Sequence, residues 1–176
     1  GDGSLGVAYG PSQARAERSH NISREMPKAF VREIIAAYGT AAGRMQKAGL
    51  DGVEILASHS LLPAQFINPN LNKRTDEYGG SFENRMRFLN ETIAAVRENV
   101  GSDIVVGVRI SGDELIADGA DPERAAKLLR MWGADVVGAN CVEGPQVLLG
   151  AAEAMVAQEF PVSCVPNAGY PRLQDD

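Results

Sequence analysis

Short apolar runs alternate with helical patterns along the chain, and this alternation limits the fold more than any other feature. The runs occupy residues 51–57, 104–110, 134–139 and 161–165. Each is apolar at most positions, as expected of strands that are covered on both faces. Strands that alternate with helices through short connections form parallel sheets with right-handed crossovers. An open doubly wound sheet and a piece of a (β/α)8 barrel both fit this pattern.

The helical patterns carry their own start and stop signals. Helices are predicted over 27–48, 82–100, 122–132 and 145–158. Ser81 is placed to accept a backbone hydrogen bond at the start of the second helix, and Gly101 ends it. Residues 1–26 lack apolar periodicity, so we predict a loop or a poorly packed segment there, with His20 as a solvated loop histidine.

Composition and charge narrow the class of function. The chain has 176 residues, of which 44% are hydrophobic and 23% charged, so we predict one ordinary globular domain. A formal charge of −6 without any basic run argues against nucleic acid and anionic membranes as partners, and favours small-molecule chemistry. No apolar run is long enough to span a bilayer, and no signal peptide is evident, so we predict a cytoplasmic protein. Because the chain begins without Met and ends RLQDD, we also expect a fragment.

Three stretches carry a resemblance to a known family. They read GLDGVEI, QFINPNLNKRTDEYGGSFENRMRF and VVGVRIS. Together they resemble the Old Yellow Enzyme family of FMN-dependent oxidoreductases over roughly residues 10–115. The run HSLLPAQFINPNLNKRTDEYGGSFENR is most similar to the branch with trimethylamine dehydrogenase and related amine-oxidising or N-demethylating enzymes. The resemblance implies a barrel fold, the cofactor FMN and a small-molecule substrate.

This resemblance, and the absence of a Gly-rich dinucleotide fingerprint after any strand, favour the barrel over the open sheet. A complete barrel needs about 200 residues or more. We therefore predict an α/β fold, a partial (β/α)8 TIM barrel of about four parallel strands with outer helices. Its open edges would favour a homo-oligomer, because unpaired strands attract partners.

Active sites of such barrels gather at the carboxyl ends of the strands. That rule selects six residues, namely His59, Arg109, Ser111, Asn140, Cys141 and Asn167. Arg109 stands out because a guanidinium in an apolar strand needs an anionic or hydrogen-bonding partner to offset desolvation. The resemblance implies that Arg109 binds the pyrimidine edge of FMN. The alternative is a structural ion pair with a loop carboxylate.

His59 is the candidate catalytic residue. In the family, the stretch after VEI carries two hydrogen-bonding residues that hold the substrate beside the flavin, followed by a Tyr. The matching positions here are Leu56, His59 and Leu61, so one partner remains and the Tyr is lost. The resemblance thus implies that His59 orients a carbonyl or an amine without proton donation from Tyr. The alternative is a histidine that is simply hydrogen-bonded at a strand end.

A second resemblance begins after about Asp118. GADVVGANCVEGPQ and PVSCVPNAGYPRL resemble homocysteine S-methyltransferases, in which the Cys of the first stretch is a zinc ligand together with a later Cys pair. Cys141 matches the first ligand, and the pair is missing, so we expect zinc to bind weakly or not at all. Cys164 is expected to be a small buried hydrophobe. We therefore divide the chain into an Old Yellow Enzyme-like segment, 1–118, and a homocysteine S-methyltransferase-like segment, 119–176, that continues the same domain.

The leading prediction is an FMN-dependent oxidoreductase of Old Yellow Enzyme type, either an NAD(P)H:flavin oxidoreductase or an amine dehydrogenase or demethylase, present as an incomplete fragment. Its site residues are His59 and Arg109. The alternatives are a fragment of a zinc-dependent homocysteine S-methyltransferase, with Cys141 as a metal ligand, and an inactive chimeric barrel scaffold.

Overall fold

The computed structural model describes residues 7–15, 22–111, 121–140 and 145–166. The helices are Lys28–Lys47 (α1), Leu62–Ile67 (α2), Phe82–Val100 (α3), Pro122–Met131 (α4) and Pro145–Val156 (α5). The strands are Tyr9–Gly10 (β1), Arg24–Glu25 (β2), Gly52–Ala57 (β3), Val105–Ser111 (β4), Val136–Asn140 (β5) and Val162–Val165 (β6). No helix in these ranges is long and apolar enough to cross a membrane.

Strands β3 to β6 form a parallel sheet whose strand order follows the chain order. Helix α3 connects β3 to β4, α4 connects β4 to β5, and α5 connects β5 to β6. The predicted partial α/β barrel of four parallel strands is confirmed. Its strand bounds lie within two residues of those predicted from the apolar runs.

The helices cover one face of this sheet. Alternate strand residues, including Ile55, Val108 and Val137, are buried in one apolar core with Leu89 of α3 and Leu129 of α4. The intervening residues lie on the opposite face, which we call the inner face. They include Glu54, Leu56, Gly107, Arg109, Gly138, Asn140 and Ser163, as the strand register shows. Leu56 is 41% exposed, so within the described residues the expectation of two covered faces is wrong for the inner face.

The N-terminal segment is more ordered than its sequence predicts. Strand β1 pairs with β2 in parallel, and Ser12 and Met26 are buried. The described part of this segment is thus better packed than predicted, and four of its residues lie in short strands instead of loop. Strands of two residues are too short to show the alternation on which strand prediction depends. His20 lies outside the described residues.

A loop between α2 and α3 fastens the N-terminal segment to the sheet domain. Arg74 donates through Nη1 to the carbonyl oxygens of Pro11, at 2.9 Å, and Met26, at 2.7 Å. Its Nη2 pairs with Asp76 Oδ2 at 2.6 Å. A Cβ at Gly79 would lie 2.2 Å from the Arg74 carbonyl oxygen, so this position requires glycine. The RTDEYGG letters thus specify a close-packed polar loop.

The loop leads into α3 through the predicted cap. Ser81 has an extended backbone, and its hydroxyl accepts a hydrogen bond from the Asn84 N–H at 3.3 Å. Gly101, with φ 63°, ends the helix as expected. Helix α2 was not predicted, because six residues are too few for a helical period to repeat.

An arginine joins α3 to the amino ends of the strands. Arg97 donates to the carbonyl oxygens of Gly133, at 2.7 and 2.9 Å, and Ile104, at 3.1 Å, and it pairs with Asp135. Asp135 Oδ2 also accepts from the Val106 N–H at 2.7 Å. We call this group the amino-end cluster, and it ties α3, β4 and the start of β5 together.

Candidate functional site

Arg109 lies near the carboxyl end of β4, on the inner face, and pairs with a glutamate of the neighbouring strand. Its Nε donates to Glu54 Oε2 at 2.9 Å and its Nη2 to Glu54 Oε1 at 2.7 Å. This two-point pairing is the geometry in which guanidinium and carboxylate bind most strongly. The Arg109 side chain is only 10% exposed, whereas that of Glu54 is 38% exposed. The pair therefore compensates a nearly buried positive charge.

Two more strands contribute to the same guanidinium. Nη1 of Arg109 donates to Asn140 Oδ1 of β5, and Nη2 donates to Ser163 Oγ of β6, both at 3.1 Å. Arginine has five N–H donors. Four are used in these contacts, so one Nη1 hydrogen has no partner among the residues that the structure describes. Arg109 thus joins all four strands of the described sheet.

For Arg109 the structure shows an ion pair, as the second alternative predicted, while its contact with FMN stays a prediction. An ion pair is present, but its carboxylate belongs to strand residue Glu54 and not to a loop. Sequence reasoning missed this partner, although a lone carboxylate in an apolar strand next to an arginine-bearing strand is a usable signal. Because one donor remains, the ion pair is compatible with a contact from Arg109 to a bound ring.

Glycines on the inner face leave room for this pair. A Cβ at Gly138 would lie 2.9 Å from Arg109 Cζ and 3.0 Å from its Nη1. A Cβ at Gly107 would lie 3.5 Å from Glu54 Cγ, which is ordinary contact. Gly138 is therefore the position where a side chain would displace the guanidinium. A glycine inside a strand is a signal of such close approach.

Asn140 connects Arg109 to His59. Its Nδ2 lies 3.2 Å from both ring nitrogens of His59 and 3.4 Å from Ser58 Oγ. Ser58 is fully buried, and its Oγ lies 2.8 Å from His59 Nδ1. His59 itself is exposed. The backbone φ angle is 55° at both His59 and Ser60. We call Glu54, Ser58, His59, Arg109, Asn140 and Ser163 the carboxyl-end cluster.

The structure brings three of the six selected strand-end residues into one hydrogen-bonded cluster. His59, Arg109 and Asn140 belong to the cluster, and Ser111 ends β4, paired in register with Asn140. Cys141 and Asn167 lie outside the described residues. Leu56 and Leu61 are each 41% exposed, so the positions that match the other family partners offer apolar surface.

Cys164 is exposed, so the expectation of a buried hydrophobe is wrong. It belongs to β6, the edge strand of the described sheet. Within the described ranges, no group of three or more His, Cys, Asp or Glu residues could hold a metal ion. The role of Cys141 as a zinc ligand stays a prediction.

A small cavity of about 150 Å³ lies apart from the carboxyl-end cluster. It is lined by Tyr9 and Ser12 of the N-terminal segment, by Ser60 before α2 and by Gln65 within α2. None of the residues around Arg109 lines it. The cluster instead lies on the inner face of the sheet.

The charge balance of the cluster decides which part of a flavin mononucleotide fits it. Because Glu54 pairs with Arg109 at two points, a phosphate dianion would meet a carboxylate as well as a guanidinium. A ring edge with carbonyl acceptors and little charge is compatible with the one remaining N–H. The residues present therefore fit the ring and not the phosphate.

Comparisons with known proteins identify the family. The family model described as NADH:flavin oxidoreductase / NADH oxidase matches residues 2–146. The N,N-dimethylglycine/sarcosine dehydrogenase of Chromohalobacter salexigens is 38% identical over 138 residues, which cover 74% of this chain and 20% of that protein. The NADPH dehydrogenase of Bacillus velezensis is 38% identical over 145 residues, or 81% of this chain and 42% of that protein. The chain thus spans less than half of these relatives.

Solved structures agree with the sequence comparisons. Morphinone reductase in complex with tetrahydroNAD matches with a TM-score of 0.74 and 29% identity, over 90% of this chain and 48% of that chain. A complex of 2-naphthoyl-CoA reductase with 2-naphthoyl-CoA matches with a TM-score of 0.80 and 26% identity, over 92% of this chain and 29% of that chain.

The family match runs through β5, past the segment boundary predicted at residue 118. These comparisons lend no support to a homocysteine S-methyltransferase resemblance, and the division at 118 stays a prediction. The Old Yellow Enzyme resemblance is confirmed. By its family match, its relatives and its fold, the chain belongs to the NADH:flavin oxidoreductase / NADH oxidase family.

Proposed function

We propose that this chain supplies one side of the flavin and substrate site of an FMN-dependent oxidoreductase of Old Yellow Enzyme type. The observation that carries the proposal is the hydrogen-bonded line from Arg109 through Asn140 to His59 at the carboxyl ends of the strands. Family membership supports the cofactor class. The named relatives include NADPH dehydrogenases and an amine dehydrogenase, so the proposal covers both NAD(P)H:flavin oxidoreductase and amine dehydrogenase or demethylase activity.

Arg109 is proposed to bind the pyrimidine edge of the flavin. Its remaining Nη1 hydrogen supplies one donor, and its positive charge is only partly balanced by the half-exposed Glu54. When bound, FMN would accept and deliver the hydride in this class of reaction. The protein's part is to orient the ring and to favour negative charge on its pyrimidine edge.

His59 is proposed to orient the substrate. It is exposed on the inner-face side of the cluster, and Asn140 and Ser58 restrain its ring. Leu56 and Leu61 have no proton to donate, so the substrate would meet one imidazole and an apolar surface. Substrates with one polar group on an apolar body fit that surface best.

The test is titration with FMN, followed by the change in flavin fluorescence. We expect weak binding to the parent chain, because each charge-assisted hydrogen bond to phosphate contributes roughly 1.5–3 kcal/mol and the cluster is not suited to phosphate. Arg109→Ala should abolish the binding that remains. Arg44→Ala removes an exposed arginine from the last turn of α1, and Cys141→Ser removes the predicted zinc ligand. Both should bind FMN like the parent.

Equal binding to the parent and to Arg109→Ala, or no binding to the parent, would refute the flavin proposal for this chain. To separate lost contact from unfolding, Arg109→Lys keeps the charge but cannot pair with Glu54 at two points. We expect it to remain folded by circular dichroism and to bind FMN more weakly than the parent does.

We also propose that the free chain self-associates through its open sheet. Strands β3 and β6 are the edges of the described sheet, and the inner face exposes Leu56, Val105 and Val165. Unpaired edges next to apolar surface attract other strands. Light scattering at increasing concentration should show a rising mean mass, whereas a constant monomer mass would contradict the proposal.

A further inference from the structure

We propose that the cavity between the N-terminal segment and α2 is a binding site for a small uncharged molecule with one hydrogen-bond acceptor and one N–H donor, such as a secondary amide. The cavity has a volume of about 150 Å³. A cavity of this size in another protein holds benzene, so a ligand of about six non-hydrogen atoms fits. The site lies apart from the carboxyl-end cluster, and its test does not depend on the proposed function.

Hydrogen bonds hold the N-terminal wall of the cavity in place. The Lys73 N–H donates to Ser12 Oγ at 2.8 Å, which ties this wall to the polar loop after α2. Ser23 Oγ donates to the carbonyl oxygen of Ser12 at 2.9 Å and accepts from the Ala14 N–H at 3.2 Å. The wall is thus formed in the protein without a ligand, which lowers the entropy that binding must cost.

Ser12 supplies this cavity with a donor that has no other use. The residue is only 3% exposed, and its hydroxyl oxygen accepts from the Lys73 N–H. A hydroxyl also has one hydrogen to donate, and that of Ser12 has no acceptor among the described residues. The hydroxyl of Ser23, by contrast, both donates and accepts. Because a buried O–H without a partner is costly, a ligand oxygen that accepts from Ser12 is favoured in the cavity.

Gln65 of α2 supplies the complementary acceptor. Its Nε2 donates to the Ser60 carbonyl oxygen at 2.7 Å, and this contact fixes the orientation of the side-chain amide, because a carbonyl oxygen can only accept. Gln65 Oε1 lies 3.3 Å from the position that a Cβ at Gly10 would take, so it faces the N-terminal segment. Within the described part of the chain, no group donates to this oxygen. An N–H of a ligand matches it.

The rest of the lining favours an uncharged ligand with apolar ends. Tyr9 and Leu71 give the cavity apolar surface. Among the described lining residues only Arg15 is charged, and it is exposed and already has an interaction partner. A carboxylate can only accept, so it would oppose Gln65 Oε1. A secondary amide has a carbonyl oxygen for Ser12, an N–H for Gln65 and an apolar group at each end.

A titration followed by NMR of the ¹⁵N-labelled chain tests the site without flavin. The probe is N-methylacetamide, and its matched control is methyl acetate, which has the same shape and carbonyl group but no N–H. We expect the Gln65 side-chain amide and the Ser12 backbone signals to shift and to saturate at millimolar probe. Methyl acetate lacks one hydrogen bond and should bind about fivefold more weakly. No saturable shift, equal binding of the ester, or tighter binding of acetate would overturn the proposal.

Variants locate the binding in this cavity. Ala14 lines it, so Ala14→Leu should fill it and abolish amide binding, whereas Ala94→Leu makes the same change at an exposed position of α3 and should bind like the parent. Gln65→Met removes the acceptor oxygen at similar side-chain length and should bind amide and ester equally. Circular dichroism checks that each variant folds, and Gln65→Met still decides if Ala14→Leu does not. Parent-like binding by folded Ala14→Leu, or an amide preference kept in Gln65→Met, would refute the site.

Discussion

The two ends of the same four-stranded sheet each carry an arginine–carboxylate pair, but the two pairs use their hydrogen bonds differently. At the amino end, Arg97 and Asp135 bind backbone groups of Gly133, Ile104 and Val106. At the carboxyl end, Arg109 binds side chains only, from three other strands. A cluster that binds backbone holds elements together, whereas one built from side chains can exchange a partner for a ligand. The difference indicates that the amino-end cluster stabilises the fold, and it is consistent with our proposal that the carboxyl-end cluster binds a ligand.

Replacing both charges at each end gives the largest expected contrast. Arg97→Met with Asp135→Leu removes the side-chain partners of three carbonyl oxygens, those of Gly101, Ile104 and Gly133, and of the buried Val106 N–H, and should lower the free energy of unfolding by roughly 2–4 kcal/mol. Arg109→Met with Glu54→Leu removes a pair that binds only side chains, and should change the free energy of unfolding by about 1 kcal/mol or less. Urea unfolding of the two double variants measures both changes in the free energy of unfolding. Equal losses of stability would contradict the proposed difference between the two ends.

Single methyl groups at the two ends should separate stability from binding. Gly133 has φ 93°, so Gly133→Ala should cost about 1 kcal/mol of unfolding free energy through backbone strain. Gly138→Ala places a Cβ against the Arg109 guanidinium and should weaken FMN binding several-fold. Thermal unfolding and FMN titration of both variants provide the check. Loss of FMN affinity in Gly133→Ala at unchanged stability would contradict the assignment.

The smallest expected effect is an acid sensitivity at the amino end. Burial opposes ionisation of Asp135, but hydrogen bonds from the Val106 N–H and Arg97 outweigh it and hold the pKa of this carboxyl below its ordinary value. Ionised Asp135 therefore stabilises the fold above a pH of about 4, and this contribution is lost as pH falls through the lowered pKa.

Urea midpoints measured from pH 7 downward should thus fall less steeply in Asp135→Asn than in the parent. Asp103→Asn serves as the control for the change in net charge. If the urea midpoints of the parent and Asp135→Asn fell in parallel with pH, the proposed acid sensitivity of the amino end would be refuted. Part of the acid sensitivity should persist in Asp135→Asn, because Arg74 also holds the pKa of Asp76 below its ordinary value.

The amount that sequence could predict differs between local and non-local features. The strands, the long helices and the Ser81 cap depend on periodicity and on single residues, so short stretches of sequence were enough to predict them. The pairing of Glu54 with Arg109 depends on the register between β3 and β4. Neither strand's own sequence predicts that register. The strand-end rule nevertheless selected His59, Arg109 and Asn140, because it needs only the end of each strand.

Other misses have related physical causes. Strands β1 and β2 and helix α2 are shorter than the periods by which they would be detected. Cys164 was expected to be buried from its apolar neighbours, but exposure depends on whether a strand lies at the edge of its sheet. Strand position is a property of the assembled sheet, and no window of sequence contains it.

The order of strands in the sheet has a consequence for how the protein can vary. Each strand pairs with the one before it, and the connection from β3 to β4 is nearly twice as long as the next one, since it carries α2, the polar loop and α3. The entropy of closing a loop rises by only about 0.6 kcal/mol for each doubling of its length. A change in the length of this connection therefore costs strand pairing little, provided that it spares α3 and the polar loop that Arg74 holds. Outside those two parts, the surface around the carboxyl ends can diversify while the strands that carry Glu54, Arg109 and Asn140 keep their register.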